Sequence, residues 1–297
     1  MTDAAAIAAP AAPVAIERSP GYWSSVLRRL ARDKVAMACL AVLVLLVLAA
    51  IFAPYIAPGD PIRGSMLRRL RAIGTAGYPL GSDELGRDML TRLIYGARLS
   101  LFMGIVPVIN AFVIGTILGV LSGYAGGAVN TLIMRTIDVF YAFPSVLLAI
   151  AISGALGAGI TNSIVSLTVV FIPPIARVAE SVTTQVRGLD YVDAARASGA
   201  GAITIVRVHV LGNVLGPVFV YATSLVSVSM ILASGLSFLG LGVRPPEPEW
   251  GLMLNTLRNA IYVQPLVAAL PGAMILVTSI CFNLFSDGLR TAMDVKV

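Results

Sequence analysis

Residues able to do catalytic chemistry are few and widely spaced in this sequence. The only histidine, His209, lies in a polar stretch between two apolar runs, so a Ser-His pair cannot form inside an apolar segment. The run Gly235–Gly240 lacks the glycine spacing of a nucleophile elbow. Asp138 and Asp287 could form an aspartyl pair, but both fall near the predicted ends of apolar runs. A hydrolase therefore stays only as a minor alternative.

Phosphate and metal chemistry find no support in the residue pattern. A phosphate-binding loop needs a Gly-Lys pair, whereas Lys34 follows an aspartate and Lys296 follows a valine. Cys39 and Cys281 sit in apolar stretches, where cysteine usually acts as a small buried hydrophobe. A disulfide between them would require two segments to touch at matching depth. We therefore predict no metal site, no bound cofactor and no ATPase activity in this chain.

The composition is that of a membrane protein. The 297 residues are 58% hydrophobic and 12% charged, with a mean hydropathy of +0.90. The net charge is +6 and the pI is about 9.6, but the basic residues are spread between apolar runs. This distribution is typical of membrane flanks and does not indicate a nucleic-acid partner.

Six apolar stretches are long enough to cross a hydrocarbon core of about 30 Å. They cover residues 35–53, 99–121, 132–156, 164–182, 214–236 and 266–285. We predict an all-α integral membrane protein with six transmembrane helices. An even number of crossings places both termini on one side of the membrane.

The positive-inside rule orients this arrangement weakly. With both termini in the cytoplasm, twelve of the 21 basic residues are inside and nine are outside. The predicted organisation is a disordered Ala/Pro-rich cytoplasmic tail and a transmembrane domain containing two external loops and one cytoplasmic loop. These units are residues 1–27 and 28–297, with external loops 54–98 and 237–265 and the cytoplasmic loop 187–213.

The first external loop is predicted to end in an amphipathic helix lying in the membrane interface. Leu85, Met89 and Leu93 share one helical face, and Arg87 and Arg92 lie on the opposite face. Leu90 and Ile94 join the apolar face, Asp88 joins the polar face, and Ser82 or Asp83 is the expected N-cap. In the second external loop, Trp250 is expected at the interface after a proline-rich run.

The spans carry features of closely packed helices. Gly115, Gly119 and Gly123 recur every fourth residue, which predicts a flat face for a neighbouring helix. Bends are expected at Pro107, Pro144, Pro173 and Pro174. Two ion pairs are predicted from helical spacing, Arg135 with Asp138 and Arg177 with Glu180.

The polar segment 187–213 is the most informative part of the sequence. It is predicted to form two short helices separated at residues 199–201. Asp190 and Tyr191 lead into the first helix, whose small residues Ala194, Ala195 and Ala197 could enter a groove on another protein. The apolar residues of the second helix return the chain to the membrane; they are Ile203, Ile205, Val206, Val208 and Val210.

This segment resembles the cytoplasmic "EAA" loop of ABC importer permeases. The matching residues are Asp193-Ala194-Ala195, then Gly199 four residues later, then Ile205 and Val210-Leu211. In that family the loop docks onto the ATPase subunit, so the resemblance implies a coupling role for eight residues. These are Asp190, Tyr191, Asp193, Ala194, Ala195, Arg196, Gly199 and Leu211. The family pattern commonly ends in Leu-Pro, and Gly212 replaces the proline here, which implies a looser turn.

Three further segments narrow the resemblance. Residues 80–101, 235–254 and 282–294 look like signature segments of the peptide and nickel permeases, in the order of the "C" type permease. The resemblance implies half of a translocation pore in a bacterial cytoplasmic (inner) membrane, in contact with membrane lipid and carrying short peptides. Implied partners are a "B" type permease, one or two ABC ATPases that bind ATP and Mg²⁺, and an extracytoplasmic substrate-binding protein.

Other cargoes and classes stay open at this point. Nickel, glutathione and other small solutes are carried by similar systems. A secondary transporter or channel is the other alternative, and a charge deep in a span would favour it. The spans show none at the predicted depths, and a docking loop has no purpose in such a protein.

Overall fold

The computed structural model describes residues 22–293, which are mostly helical and contain no β-strand. In chain order the helices are α1 (Tyr22–Leu30), α2 (Lys34–Ile51), α3 (Ala53–Ile56), α4 (Met89–Ala125), α5 (Gly127–Tyr141), α6 (Ser145–Leu156), α7 (Ile160–Arg187), α8 (Asp190–Ala197), α9 (Ala202–Ile205), α10 (Leu211–Phe238), α11 (Trp250–Thr256) and α12 (Pro265–Met293). A π-helical turn, Val206–Val210, joins α9 to α10, and short 3₁₀ turns occupy Met66–Arg68 and Arg258–Tyr262.

Five helices in the described part of the chain are long and apolar enough to cross a membrane. They are α2, α4, α7, the α9–α10 unit Ala202–Phe238 and α12. The sixth crossing is the pair α5 and α6, which is bent by 89° at a short break. The predicted all-α fold is confirmed, with six spans if the bent pair is counted as one.

The bend at Pro144 is confirmed, because this residue caps α6 directly after the break. A proline lacks the N–H needed to continue the helix, which favours a break at this point. Pro107 lies inside α4, and Pro173 and Pro174 lie inside α7, and both helices continue through them. Proline alone therefore did not decide which helix breaks.

Helices α4 and α7 pack along the predicted glycine face. A Cβ added at Gly115 would lie 2.9 Å from Ile175, and one added at Gly123 would lie 2.8 Å from the Glu180 oxygen. Because later residues of α4 contact later residues of α7, the two helices run parallel. The bent pair α5–α6 carries the chain back between them.

The bundle has two distinct ends. Asp33 caps α2 and lies beside Gly288 of α12, so these helices are antiparallel. Arg187, the last residue of α7, donates to the Gly123 oxygen near the end of α4, so these two helices end together. Gly216, near the start of α10, lies beside Met293, the last residue of α12. The ends of α4, α7 and α12 and the start of α10 therefore belong to one end of the bundle. We call this the α8 end. The segments 52–88, 157–159 and 239–264 lie at the opposite end, here called the α11 end.

The main hydrophobic core lies between α4, α7 and α10, and a second core surrounds Trp250. Cys39 of α2 and Cys281 of α12 are both buried, and they share a small cluster with Leu43. The two segments therefore do touch at matching depth. Both cysteines are free thiols, as expected from their apolar surroundings.

Several predicted boundaries differ from the structure. Most of the predicted tail, 1–27, lies outside the described residues, and its last part, 22–27, belongs to α1. The first loop ends at Asp88 and not at residue 98, because α4 begins ten residues earlier than predicted. The second half of the segment 187–213 is continuous with α10.

The predicted interfacial helix is wrong. Met89 and Leu93 belong to the first turns of α4, and the residues directly before them are not helical. Asp88 is the N-cap, since its carboxylate accepts from the Thr91 N–H at 2.8 Å. Arg87 and Arg92, predicted on an exposed face, are only 4% and 2% exposed. Trp250, predicted at the interface, is fully buried.

The predicted ion pairs are also corrected. Arg177 of α7 pairs with Asp138 of α5, and its guanidinium lies 5.1 Å from the centre of the Tyr141 ring. Glu180 accepts a hydrogen bond of 2.8 Å from Asn130. Sequence spacing indicated partners within one helix, whereas the packing of α5 on α7 provides partners across helices.

Candidate functional site

Helix α8 is a short helix stabilised by its own charges. Asp190 and Asp193 occupy its first turn and Arg196 its last, the arrangement that favours the helix dipole. Arg196 and Asp193 also form an exposed ion pair of 2.7 Å. The predicted helix before the glycine-rich break is thus present where the sequence placed it.

Two apolar residues and one phenol attach α8 to the bundle. Val192 is fully buried, and Ala195 is half-buried against the main core. The Tyr191 hydroxyl donates to the His209 oxygen at 3.3 Å and accepts from the Asn213 amide at 2.9 Å. The remaining side chains of the helix, including Ala194, are exposed.

Gly199 ends α8. Its φ of +82° is in the left-handed region that favours glycine, and its N–H donates to the Arg196 oxygen. The next amide, of Ala200, donates to the Ala195 oxygen at 3.1 Å, so the last carbonyls of the helix are satisfied. The glycine at this spacing therefore has a conformational role in the turn.

The segment after the turn differs from the prediction in one respect. Leu211 is the first residue of α10 and packs against the main core. Gly212 follows within the same helix, so the looser turn predicted at this position is absent. Leu211 is thus separated from the exposed surface of α8 by the π-helical turn.

Three exposed apolar residues flank α8, and sequence reasoning missed them. Leu189, Ile203 and Val208 are 47%, 84% and 62% exposed. Their neighbours Ile205 and Val210 are buried, which explains why the whole run resembled a return to the membrane. Ile205 is the only buried residue of α9, and no signal in the sequence separates the buried apolar residues of this run from the exposed ones. Exposed apolar residues around a small helix are typical of a protein-binding surface.

A buried polar network lies at the α11 end. Glu249 is 1% exposed and caps α11 by accepting from the N–H groups of Gly251 and Leu252, both at 2.8 Å. Ser100 of α4 donates to the same carboxylate at 3.1 Å. Burial raises the pKa of Glu249 above its ordinary value, and these hydrogen bonds oppose the rise.

A second buried network fixes the end of the segment 52–88. The Asp83 carboxylate pairs with Arg87 at 2.5 Å and with Arg92 at 3.3 Å. Arg92 also donates to the Pro61 oxygen at 2.8 Å, and Arg87 pairs with Glu84. Asp83 and Arg87 lie in a non-helical turn, so the spacing rule for helical ion pairs does not apply to this contact. The network removes Arg87 and Arg92 from solvent, whereas the other basic residues of this region, Arg63, Arg68, Arg69 and Arg71, are exposed.

The break between α5 and α6 opens a cavity of about 210 Å³ toward α7 and α10. Aromatic and proline side chains form most of its wall, among them Phe140, Phe143, Phe171 and Pro174. Tyr221 lines this cavity and a larger one nearer the α8 end. An apolar bundle with one broken span, two adjoining cavities and one short exposed helix at its end is the architecture of a polytopic membrane protein.

Comparison with known families agrees with this class and narrows it. The profile described as "Binding-protein-dependent transport system inner membrane component" matches residues 115–297. The profile "N-terminal TM domain of oligopeptide transport permease C" matches residues 21–71. The chain belongs to the family of binding-protein-dependent ABC importer permeases and is a multi-pass inner membrane protein. Membership implies ATPase and binding-protein partners.

Curated relatives cover nearly the whole chain. It is 41% identical to the di/tripeptide transport system permease protein DppC of Pseudomonas aeruginosa, over 93% of this chain and 91% of the relative. It is 40% identical to the glutathione transport system permease protein GsiD of Pectobacterium atrosepticum, with the same coverage. Both relatives are named as permease subunits.

Solved structures support the fold. The MetNI methionine ABC transporter in inward-facing conformations matches with a TM-score of 0.57 at 21% identity, over 69% of this chain and 97% of that chain. An amino acid ABC transporter matches with a TM-score of 0.51 at 14% identity, over 67% of this chain and 94% of that chain.

Proposed function

We propose that this chain forms half of the translocation pore of an ABC importer for short peptides, and that α8 docks into a groove on a partner ATPase. The observation that carries the docking role is the exposure of α8 and its surroundings. The helix presents Ala194 to its surroundings, and the neighbouring side chains of Leu189 and Ile203 are 47% and 84% exposed. Small and apolar side chains on a rigid helix suit a helix-in-groove contact.

The partners supply what this chain lacks. We propose a "B" type permease for the other half of the pore, one or two ATPases that hold ATP and Mg²⁺, and an external binding protein that delivers substrate. The sequence has no Gly-Lys phosphate loop, so hydrolysis belongs to the ATPases and this chain is non-catalytic. The proposed ATPase contact consists of Asp190, Tyr191, Asp193, Ala194, Ala195, Arg196 and Gly199, with Leu211 anchoring the return helix.

The same proposal orients the chain. The α8 end faces the cytoplasm, which also puts both termini and the segment 187–213 inside. The segments 54–88 and 239–264, at the α11 end, face the binding protein. Helix directions inferred from the packing contacts are consistent with six crossings, which place both ends of the described chain on the same side of the membrane. The proposed contact of α8 with an ATPase makes that side the cytoplasm.

Coupling follows from how α8 is attached. Only Gly188 and Leu189 separate it from α7, and α7 packs on α4 along the glycine face without room for a side chain. When ATP brings the two ATPases together, a displacement of α8 therefore moves α7 and α4 as one unit. The break between α5 and α6 is the flexible element in the same pathway, and its cavity changes shape as the pore reorients.

The proposed cargo is a di- or tripeptide, and glutathione is the second candidate. The named functions of the DppC and GsiD relatives, at 41% and 40% identity, support these two cargoes to a similar degree. Both are short and carry a free amino group and a free carboxylate at neutral pH. The binding protein selects between them before this chain is engaged.

The test of docking is Ala194→Glu in the complete transporter reconstituted in proteoliposomes. If α8 enters a groove, the new carboxylate is buried without a partner, which costs several kcal/mol in a close contact. We expect dipeptide uptake to fall at least ten-fold, with the ATPases lost from the purified complex or hydrolysing ATP without transport. If no partner protein covers α8, the substitution stays on an exposed surface, changes stability by about 0.5 kcal/mol or less, and leaves uptake intact.

Ala128→Glu is the matched control, because Ala128 is exposed in the first turn of α5 at the same end of the bundle. It should assemble and transport like the wild type. Ala195→Glu is less suitable, since Ala195 is half-buried within the chain itself and the change would also disturb folding. Wild-type uptake by well-expressed Ala194→Glu would remove α8 as the docking helix.

A further inference from the structure

The larger cavity, of about 600 Å³, opens between α7, α10 and α12 in the part of the bundle nearest the α8 end. Cavities of this size hold small organic ligands. Its wall combines apolar side chains, such as Val178, Pro217 and Met293, with polar groups on α10 and α12. It adjoins the cavity at the α5–α6 break through their shared residue Tyr221.

Two opposite charges line this cavity. Asp287 and Arg290 lie three residues apart on α12 and are both exposed to it. Side chains at this spacing often pair on a helix surface. None of the ion pairs among residues 22–293 involves either of them. Gly288, between them in sequence, lies beside Asp33, the N-cap of α2, so both charges are at the α8 end of the bundle, where each is available to a ligand in the cavity.

Neutral hydrogen-bonding groups surround the two charges. Asn283 lies one turn before Asp287 on α12, and Tyr221 and Ser224 face the same cavity from α10. A carboxylate with nearby oxygen acceptors suits an ammonium group, and a guanidinium fork suits a carboxylate. The chemistry of the cavity is thus that of a binding site for a zwitterion.

We infer that this cavity binds the two ends of a short peptide, with Asp287 holding the amino terminus and Arg290 the carboxylate. The inference extends the proposed peptide transport by placing a substrate site in this chain. A two- or three-residue chain spans at most about 7–11 Å. Side chains that diverge from Cβ atoms roughly 5–6 Å apart can bracket that length.

The apolar part of the cavity wall allows this site to accept peptides with different side chains. A site that reads the charged ends of a peptide leaves the intervening side chains to van der Waals contact with Val178, Pro217 and Met293. Methionine adapts its shape to different neighbours. The site therefore discriminates by length and free termini and accepts varied sequences.

The experiment uses the complete transporter in proteoliposomes, loaded with its binding protein and radiolabelled dialanine. We compare Asp287→Asn and Arg290→Gln with the wild type, and measure uptake together with the ATP hydrolysis that the loaded binding protein stimulates. Each variant should lower uptake at least ten-fold while stimulated hydrolysis stays within two-fold of the wild type. Thr291→Ala, exposed on α12 beside both charges but outside the cavity wall, should behave like the wild type.

Each outcome decides a different question. Wild-type uptake by both charge variants overturns the substrate site and leaves the proposed function intact. A parallel loss of uptake and hydrolysis also overturns the substrate site, because that result indicates a defect in assembly or in coupling. If the wild-type complex hydrolyses ATP but carries neither dialanine nor a tripeptide, the proposed peptide cargo is wrong and this inference fails with it.

Discussion

At the scale of single residues, Glu249 shows how a buried charge organises the α11 end. Its two oxygens accept the first amides of α11 and a hydroxyl of α4, so one side chain joins two helices. Trp250, the next residue, donates from its indole to the Leu93 oxygen at 3.0 Å. The carboxylate therefore fixes the position of a large aromatic residue in the second core.

Replacing Glu249 with glutamine should make the stability of the protein respond differently to pH. Because burial raises the pKa of Glu249 in the folded state, the folded chain binds this proton more tightly than the unfolded chain does. The stabilising effect is complete below the unfolded pKa and is lost as pH rises through the folded pKa. The Tm difference, wild type minus Glu249→Gln, should therefore increase as pH falls from 8 to 5, measured by thermal unfolding in detergent.

Met66→Leu serves as the control, since Met66 is exposed at the same end of the bundle and has no titratable group. Its Tm difference from the wild type should stay nearly constant over this pH range. A constant difference for Glu249→Gln as well would mean that the carboxylate does not titrate with folding.

At the scale of helices, the contact between α4 and α7 depends on the absence of side chains. A Cβ at Gly119 would meet the Ala179 Cβ at 2.5 Å, and the Ala176 oxygen is closer still. Neither neighbour can move away, because one is backbone and both belong to a long helix in the main core. The two helices must separate to accommodate even one methyl group.

Gly119→Ala should therefore destabilise the permease by about 1–3 kcal/mol, the usual cost of overpacking a core. Gly235→Ala is the control, because Gly235 is also inside a helix and nothing lies within 4 Å of a Cβ placed there. That change should be neutral or stabilising by up to about 1 kcal/mol through helix propensity. Thermal unfolding of the two purified variants in detergent measures the difference, and equal Tm values would contradict the packing seen at Gly119.

The helices show which features a sequence can reveal. The glycine repeat predicted the α4 face, and the break at 199–201 predicted α8, because each depends on residues close in sequence. Partners across helices, such as Asp138 for Arg177, could not be found this way. The cavity around Asp287 and Arg290 depends on the approach of three helices, so the sequence did not reveal it, and from the sequence Asp287 is a candidate only for one half of an aspartyl pair.

The start of α4 was misjudged for a related reason. Arg87 and Arg92 have the spacing of an exposed polar face, and an isolated amphipathic helix was the simplest interpretation. Their burial depends on Asp83, Glu84 and the Pro61 oxygen, which together offset the cost of removing two guanidinium groups from water. Hydrophobic periodicity shows which face of a helix is polar, but it cannot show that partners from other parts of the chain will bury that face.

At the scale of the whole molecule, orientation is directly testable because both native cysteines are buried. Leu67→Cys is at a position 89% exposed at the α11 end, and Ile203→Cys is at a position 84% exposed at the α8 end. In intact cells whose outer membrane is permeable to the reagent, a thiol reagent that cannot cross the inner membrane should label the first variant only. Labelling of the second should require inner-membrane permeabilisation.

Cys39 and Cys281 should give little background labelling, and the unmodified protein measures it. The reverse pattern, with Ile203→Cys labelled in intact cells and Leu67→Cys protected, would invert the orientation. It would also place α8 on the wrong side of the membrane for an ATPase.

The chain contains a single histidine, and the fold places it beside the helix proposed to meet the ATPase. The ring of His209 lies 6.0 Å from the Tyr191 ring at an angle of 52°, and its carbonyl receives hydrogen bonds from Tyr191 and Asn213. In protein labelled only at histidine, one imidazole gives one set of NMR signals. The magnetic field of the tyrosine ring makes their frequency depend on the position of α8, so this residue is a built-in spectroscopic probe of each step of the transport cycle.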